Sequence, residues 1–182
     1  GVLQTGTSVF KEGDLAVPID MDSPMTFEDG QPKKTVQGVG EYSINPDETI
    51  TFTPDKQYVG TPAPVTVKRV DKNGTEVTAT YTPTVTRVTP TSTNAESTGL
   101  QGQPQSGKPT FTPGDQAVPI DMTKDMTFDD GQTTKKVDKV KTYVIESDGT
   151  ITFTPDKQYV GTPAPVTVKR VDTNGTEVTA TY

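Results

Sequence analysis

The chain has 182 residues and a formal net charge of -7, and it contains no Cys, His or Trp. These absences exclude disulfides, thiol nucleophiles, His-based catalytic triads and zinc sites of the Cys/His kind. Thr occurs 35 times and Leu only three times, and a chain rich in Thr and Val favours strands over helices. The acidic balance argues against a nucleic-acid partner, because phosphate binding needs clustered Lys and Arg.

No apolar run reaches the roughly 18 residues that are needed to span a bilayer, so we expect no membrane insertion. The N-terminus also lacks a basic segment followed by an apolar one, which is the pattern of a signal peptide. We therefore expect the chain to be a fragment cut from a longer protein.

The first half of the chain is repeated in the second half. Residues 1–81 align without a gap on residues 102–182, and 56 of the 81 aligned pairs are identical. The block Thr49–Asp71 returns unchanged as Thr150–Asp172. The sequence therefore predicts two copies of one domain arranged head to tail. The substitutions between the copies concentrate in polar stretches, as is typical of solvated loops and outer faces.

Several short runs within each copy alternate apolar and polar residues, which is the pattern of half-buried strands. The first copy has four such runs, at 41–44, 49–53, 65–68 and 77–81. Val17 and Ile19 flank Pro18, which predicts a further strand at a sheet edge. Glu28-Asp29-Gly30 predicts a turn after Phe27. The Asn-Gly pair in the sequence 71–74 predicts a tight hairpin, because both residues accept positive φ.

About seven short strands with turns every 8–12 residues predict an all-β fold, namely two tandem antiparallel β-sandwiches of the immunoglobulin-like kind. No window predicts a helix. The expected core of the first copy, with its counterparts 101 positions on, consists of Phe10, Val17, Ile19, Phe27, Tyr42, Ile44, Ile50, Phe52, Tyr58, Val65, Val67, Val77, Ala79 and Tyr81.

The expected domain boundaries follow from a change in composition. Residues 1–88 form the first copy, and residues 89–106, rich in Thr, Ser, Pro, Gly and Gln, are expected to be an extended linker. Residues 107–182 form the second copy, which stops at Tyr182 before the equivalent of Thr82–Val88. We therefore expect the second copy to be truncated at its C-terminus, with a shortened last strand.

The motifs of both copies resemble those of a known family. The segments PTFTPGD, VPID, TFDDG, TFTPDKQYVGTPAPVTVKRVD and NGTEVTATY are similar to the CshA-type fibril repeat of cell-wall-anchored fibrillar adhesins of Gram-positive bacteria. The resemblance covers nearly the whole chain, twice. It implies an extracellular location on the bacterial cell surface and a structural role in a stalk, with neighbouring repeats of the same chain as partners. It further implies that a distal region outside this chain binds a host matrix protein such as fibronectin.

We expect no catalytic, cofactor-binding or metal-binding residues. Asp20 and Asp22 have the spacing of a calcium-binding pair, but the second copy has Thr123 in place of Asp22. Lys34, Lys56 and Lys68 have Lys counterparts in the second copy and could form isopeptide crosslinks only with Asn73, which lies at the predicted hairpin. The same Asn73 begins a glycosylation sequon that the hairpin explains better.

Three functions remain to be weighed. The leading hypothesis is a structural stalk module, in which each copy is a bead that lengthens a fibril. The alternative is that the repeats themselves bind a host matrix or bacterial partner protein, for example by strand addition at an exposed sheet edge. A hydrolase would need paired acids in a pocket, and the sequence offers no residues for one.

Overall fold

The computed structural model describes all residues from Gly1 to Tyr182 and contains sixteen strands and no helix. The chain divides into two compact units, Gly1–Arg87 and Val88–Tyr182. The strands of the first unit are β1 (Gln4–Thr7), β2 (Thr26–Phe27), β3 (Lys33–Val36), β4 (Gly40–Ile44), β5 (Thr49–Pro54), β6 (Val65–Val70) and β7 (Glu76–Tyr81).

The first unit is a sandwich of two antiparallel sheets. One sheet has the strand order β1-β5-β4-β3, and the other has the order β2-β6-β7. The inward residues of β4 and β5 alternate with Thr and Ser, as in the register pairs Tyr42 to Phe52 and Ile44 to Ile50. The predicted runs at 41–44, 49–53, 65–68 and 77–81 are therefore confirmed as strands, with the expected faces turned inward.

The core of the first unit lies between its two sheets. Tyr42 and Phe52 stack with their ring centroids 4.6 Å apart, and Phe27 from the opposite sheet meets the edge of Tyr42 at 6.5 Å. Such pairs add to the burial of the rings themselves. The buried cluster consists of Met25, Phe27, Tyr42, Ile50, Phe52, Val65 and Val67. Sequence analysis missed Met25, while Val17, Ile19, Tyr58 and Val77 are only half-buried.

Two local predictions differ from the structure. The segment around Pro18 forms only isolated bridges, Asp14 to Val17 and Ile19 to Asp71, because Pro cannot donate to a ladder. The hairpin between β6 and β7 is a five-residue loop in which only Gly74 has positive φ. The Asp71 carboxylate organises this loop by accepting bonds from the backbone N–H groups of Asn73 at 2.9 Å and Thr75 at 2.8 Å.

The second unit repeats this sandwich and adds a pair of short strands. Its sheets have the orders β12-β13-β14-β9 and β11-β15-β16, with a separate pair β10-β8. The strands are β8 (Thr91–Thr93), β9 (Gln105–Gly107), β10 (Thr110–Thr112), β11 (Thr127–Phe128), β12 (Thr134–Val137), β13 (Lys141–Ile145), β14 (Ile151–Pro155), β15 (Thr167–Val171) and β16 (Glu177–Thr181).

The structure corrects the expected linker at 89–106. Residues 88–95, which we call the leading segment, are part of the second unit, and their strand β8 pairs antiparallel with β10. Gln105, at the other end of the expected linker, pairs with Phe153 of β14. The strands β8 and β9 contain only Thr, Ser, Gln and Gly, so they form through backbone hydrogen bonds without an apolar alternation that sequence reasoning could detect.

The last strand of the second unit is not shortened, contrary to expectation. Tyr182 and Val166 exchange backbone hydrogen bonds of 3.0 and 2.9 Å, so pairing continues to the end of the strand as it does between Tyr81 and Val65. In the first unit, Val85 lies beyond the last strand and forms a bridge with Gly60.

The turn before β13 explains why one pair of substitutions between the copies is not neutral. Gly38 and Gly40 have φ values of 75° and 150°, and their counterparts Lys139 and Lys141 keep this backbone with φ values of 61° and 133°. A side chain at such angles is strained by about 1–3 kcal/mol. The second unit therefore carries backbone strain that the first unit avoids.

We expect Lys141→Gly to stabilise the second unit by about 1 kcal/mol, because the strain disappears and only an exposed ion pair with Asp156 is lost. Urea unfolding followed by signals specific to each unit measures the change. The converse variant, Gly40→Lys, should destabilise the first unit, since a Cβ there meets the Cα of Pro54 at 2.8 Å. Unchanged stability in both variants would contradict the inference that the backbone is strained at Lys141.

The Tyr42 hydroxyl is buried in the first unit and has no hydrogen-bond partner. A buried polar group without a partner costs about 1–3 kcal/mol. We therefore expect Tyr42→Phe to leave the first unit as stable as before or to stabilise it by up to about 1 kcal/mol. Hydrogen exchange of the β5 amides measures this, with Tyr143→Phe as the control in the second unit. A loss of more than about 1 kcal/mol would show that the hydroxyl has a partner.

Alkaline pH should destabilise both units. Burial raises the pKa of Tyr42 and of Tyr143 above the ordinary value of 10.0. Above that value the unfolded chain binds fewer protons than the folded one, so the free energy of unfolding falls as pH rises. Absorbance titration of the phenols, run beside a fold-sensitive signal, tests this. Ionisation of every tyrosine near pH 10 without loss of structure would contradict it.

Candidate functional site

The acidic pair singled out in the sequence contacts a lysine. The Lys72 ammonium donates to Asp20 at 2.9 Å and lies 3.5 Å from Asp22. This bond to Lys72 lowers the pKa of the Asp20 carboxyl below its usual value. Ser23 also donates to Asp20, at 3.0 Å. The carboxylates therefore serve as acceptors within one exposed polar cluster.

The second copy replaces this cluster by one of different chemistry. Asp22 and Lys72 become Thr123 and Thr173, two positions far apart in sequence that change together. The Thr123 hydroxyl donates to Asp121 at 2.6 Å, the same carboxylate position that Lys72 contacts in the first unit. No group of three or more acidic side chains in the structure is placed to hold a metal ion.

Two of the three candidate crosslinking lysines form ion pairs, and Lys56 is exposed. Lys34 lies 3.0 Å from Glu28, and Lys68 lies 3.5 Å from Glu76. Asn73 is exposed in its loop, where its backbone N–H is held by Asp71. Lys34 and Lys68 therefore contact carboxylates of Glu28 and Glu76.

A buried arginine is the charged residue that sequence analysis missed. Arg69 shares the inward face of β6 with Val65 and Val67, and only 2% of its side chain is exposed. Its guanidinium donates to the Ser23 carbonyl at 3.0 Å and forms an ion pair with Glu48. The alternation along VTVKRV places this residue inward and is the signal that could have revealed it.

The ion pair of Arg69 belongs to one copy only. Glu48 becomes Gly149 in the second unit, where Arg170 keeps its bond to a backbone carbonyl, that of Lys124 at 3.2 Å. The shared interaction is therefore the anchoring of a loop carbonyl to β6 or β15. This interaction holds the loop before the strand β2 or β11 against the sheet, which is a structural role.

Each unit has a surface depression. The first unit has one lined by Met21, Met25, Ile44 and Arg69. That of the second unit is lined by Lys139, Lys141, Asp156 and Tyr159, among other residues. These positions are not equivalent in the aligned copies, and the acidic side chains that line them are Asp22 and Glu48 in the first depression and Asp156 in the second.

The leading segment covers one edge of the second unit. The Ser92 hydroxyl donates to the Thr179 carbonyl at 2.5 Å. Thr181 makes two bonds to the segment: its N–H donates to the Asn94 amide oxygen at 2.9 Å, and its carbonyl accepts from the Ala95 N–H at 3.0 Å. The segment thereby supplies hydrogen-bond partners to the outer edge of β16. This edge is not paired with another strand of the same sheet.

The sequence family follows from a comparison with family models. The model described as "Surface adhesin CshA repetitive domain" matches residues 1–85 and again residues 87–182. The chain belongs to this family. The second match begins within one residue of the second unit, so the CshA repeat includes the leading segment that sequence analysis had assigned to a linker.

A solved structure supports membership of the CshA repeat family at the level of sequence. The chain is 68% identical to repeat domain 13 of the fibrillar adhesin CshA from Streptococcus gordonii, over 39% of this chain and 91% of that one. The TM-score is 0.22, so the relation rests on sequence identity. The comparison with curated proteins gives no match. The structure contains no helix of the length and apolar character that would cross a bilayer.

Proposed function

We infer that the two repeats are spacer modules in the stalk of a surface fibril. The observation that carries this inference is that each repeat has a buried core of its own, built from equivalent residues of its two sheets. A module that buries its own core can be repeated many times without new interfaces, so copy number sets length. The repeats need no catalytic site for this role, and the proposal assigns them none.

The surfaces of the two units support the same proposal. The acidic cluster and the Glu48 ion pair differ between the copies, whereas the core residues are the same. A binding function that used either of these features could not be shared by both repeats. In the parent protein, the stalk would be anchored to the cell wall and would project a distal region that binds a host matrix protein such as fibronectin.

Surface display tests the stalk function directly. Arrays of two, four and eight copies are placed between a cell anchor and an epitope at the tip, with one anchored epitope without repeats as the control. We expect the height of the epitope above the cell surface to rise by about 30 Å for each copy, the diameter of a domain of this size. Heights that do not depend on copy number would refute the spacer role.

A further inference from the structure

The two units place the same arginine in different charge environments. In the first unit, Arg69 has 2% of its side chain exposed and forms an ion pair with Glu48. Its counterpart Arg170 is half-buried, and Gly149 stands where the first unit has Glu48. The second unit has three ion pairs, none of which includes Arg170, namely Lys135 with Asp129, Lys141 with Asp156 and Lys169 with Glu177. Arg170 therefore carries a positive charge that no carboxylate of its own unit pairs.

A second basic side chain meets Arg170 at Gly149. It belongs to Lys108, which replaces Thr7 of the first unit. A Cβ on Gly149 would lie 3.6 Å from Nη2 of Arg170 and 3.9 Å from Cε of Lys108. Both long side chains therefore come within contact distance of a buried residue that has no side chain of its own. Compared with the first unit, this place has lost one acidic side chain and gained one basic side chain.

The guanidinium of Arg170 is held in position by one of its terminal nitrogens. Nη1 donates to the Lys124 carbonyl at 3.2 Å. Nη2 lies at the other end of the fork, on the side of Gly149. Because the planar fork is already fixed by one bond, it loses less conformational freedom when it binds a further acceptor.

Asp148 is the acidic residue next to Gly149, and it is engaged by its own turn. Its carboxylate accepts from the Thr150 N–H at 2.9 Å. This bond is the largest of the causes that lower the pKa of Asp148 below its usual value, and the charge of Lys108 contributes less. The acidic neighbour therefore interacts chiefly with backbone and leaves the guanidinium of Arg170 without a carboxylate.

The first unit shows which ligand such an arginine accepts. Nη2 of Arg69 donates to the Glu48 carboxylate. Glu48 has a φ of 69° and Gly149 has a φ of 88°, so both residues have the same left-handed backbone. A hydrogen bond between a guanidinium and a carboxylate is about twice as strong as one between neutral groups. The equivalent nitrogen of Arg170 is therefore suited to a glutamate carboxylate that comes from another molecule.

We propose that Lys108, Gly149 and Arg170 form a binding site, which we call the Arg170 site, for an acidic side chain of a partner protein. Nη2 of the guanidinium donates to the carboxylate, and the Lys108 ammonium adds a second favourable charge. The ligand is a glutamate side chain because the first unit places a glutamate carboxylate on the equivalent nitrogen. Arginine is enriched among the residues that carry most of the binding energy at protein interfaces. The site adds a binding role, confined to the second copy, to the spacer role of both.

A titration of the arginine side-chain signals tests the Arg170 site. The full chain, labelled with nitrogen-15, is titrated at constant ionic strength with N-acetylglutamate α-amide, whose only charge is its side-chain carboxylate. We expect a saturable shift of the Arg170 Nε–Hε signal and none at Arg69, because Glu48 already pairs with Arg69. The neutral N-acetylglutamine α-amide should shift the Arg170 signal roughly fivefold less at the same concentration. Equal shifts with the two probes, or no saturable shift at Arg170, would overturn the proposal.

Two substitutions of Gly149 form a matched pair. Gly149→Glu supplies within the chain the carboxylate that Glu48 supplies in the first unit, and a Cβ at this position makes only ordinary contacts. It should weaken the response of Arg170 roughly fivefold, because the guanidinium is then already paired. Gly149→Gln introduces the same backbone strain without a charge and should keep the response. Equal responses of the two variants would overturn the proposal, since the charge at this position would then have no effect.

The first unit allows the converse test. Thr7→Lys combined with Glu48→Gly gives it the residues of the Arg170 site. We expect N-acetylglutamate α-amide to produce a saturable shift of the Arg69 signal, which the unmodified chain does not show, because Glu48 no longer pairs with Arg69. If Arg69 does not respond in this variant, the three residues are not sufficient for binding and the proposal fails.

A sugar carboxylate distinguishes a protein partner from an acidic glycan. Glucuronate is titrated in the same way, and we expect it to bind more weakly than N-acetylglutamate α-amide. Tighter binding of glucuronate would assign the site to a glycan and overturn the proposal. The spacer role is tested separately, because Gly149→Glu should remove the binding and leave the dimensions of repeat arrays unchanged.

Discussion

Phe27→Ala should unfold the first unit and leave the second unit intact. Phe27 is completely buried, and its ring meets Tyr42 at the centre of the core. Removing a buried phenylalanine costs about 3–5 kcal/mol, which is a large part of the stability of a domain this small. Amide hydrogen exchange of the full chain gives separate signals for the amides of β5 and β14.

Phe128→Ala is the matched control, because Phe128 is equally buried at the equivalent position of the second unit. It should remove protection from β14 and leave β5 protected. If either substitution removed protection from both units, the repeats would fold as one cooperative body, and the description of the chain as independent beads would fail.

Gly114→Ala should destabilise the second unit by about 1–3 kcal/mol. The added methyl group would meet the backbone of Thr89, which cannot move without breaking the pairing of β8 with β10. We also expect faster hydrogen exchange of the Thr181 amide, because its N–H donates to the Asn94 side chain of the leading segment. Urea unfolding followed by the signals of the second unit measures the free energy.

Gly13→Ala provides the comparison within the same molecule. Because nothing lies within 4 Å of the added methyl group, the first unit should change by less than about 0.5 kcal/mol. Equal effects of the two alanines would mean that the glycine is needed for its backbone alone, and that the leading segment does not stabilise the second unit.

The strands that sequence analysis found are those whose side chains carry the pattern. Residues 49–53 alternate Thr with Ile50 and Phe52, and the structure buries both apolar side chains completely. Among the strands that it missed, β1, β8 and β9 contain only Thr, Ser, Gln and Gly. Their positions are set by backbone pairing with β5, β10 and β14, which is information that lies outside the segment itself.

The polar contacts were less predictable than the sandwich. The acidic pair was visible in the sequence, but its partner Lys72 lies about 50 residues away and is brought near by the hairpin that follows β6. Arg69 occupied a position that the alternation assigns to an apolar side chain. In both cases the deciding contact joins distant parts of the chain, so local pattern alone could not give it.

Small-angle X-ray scattering on arrays of two and four copies tests the spacer account most directly. For four copies joined as a row of beads, each about 30 Å across, we expect a radius of gyration of about 36 Å, and the maximum dimension should grow linearly with copy number. A compact body with the same number of residues would have a radius of gyration of about 21 Å. A value near the lower figure would contradict the account.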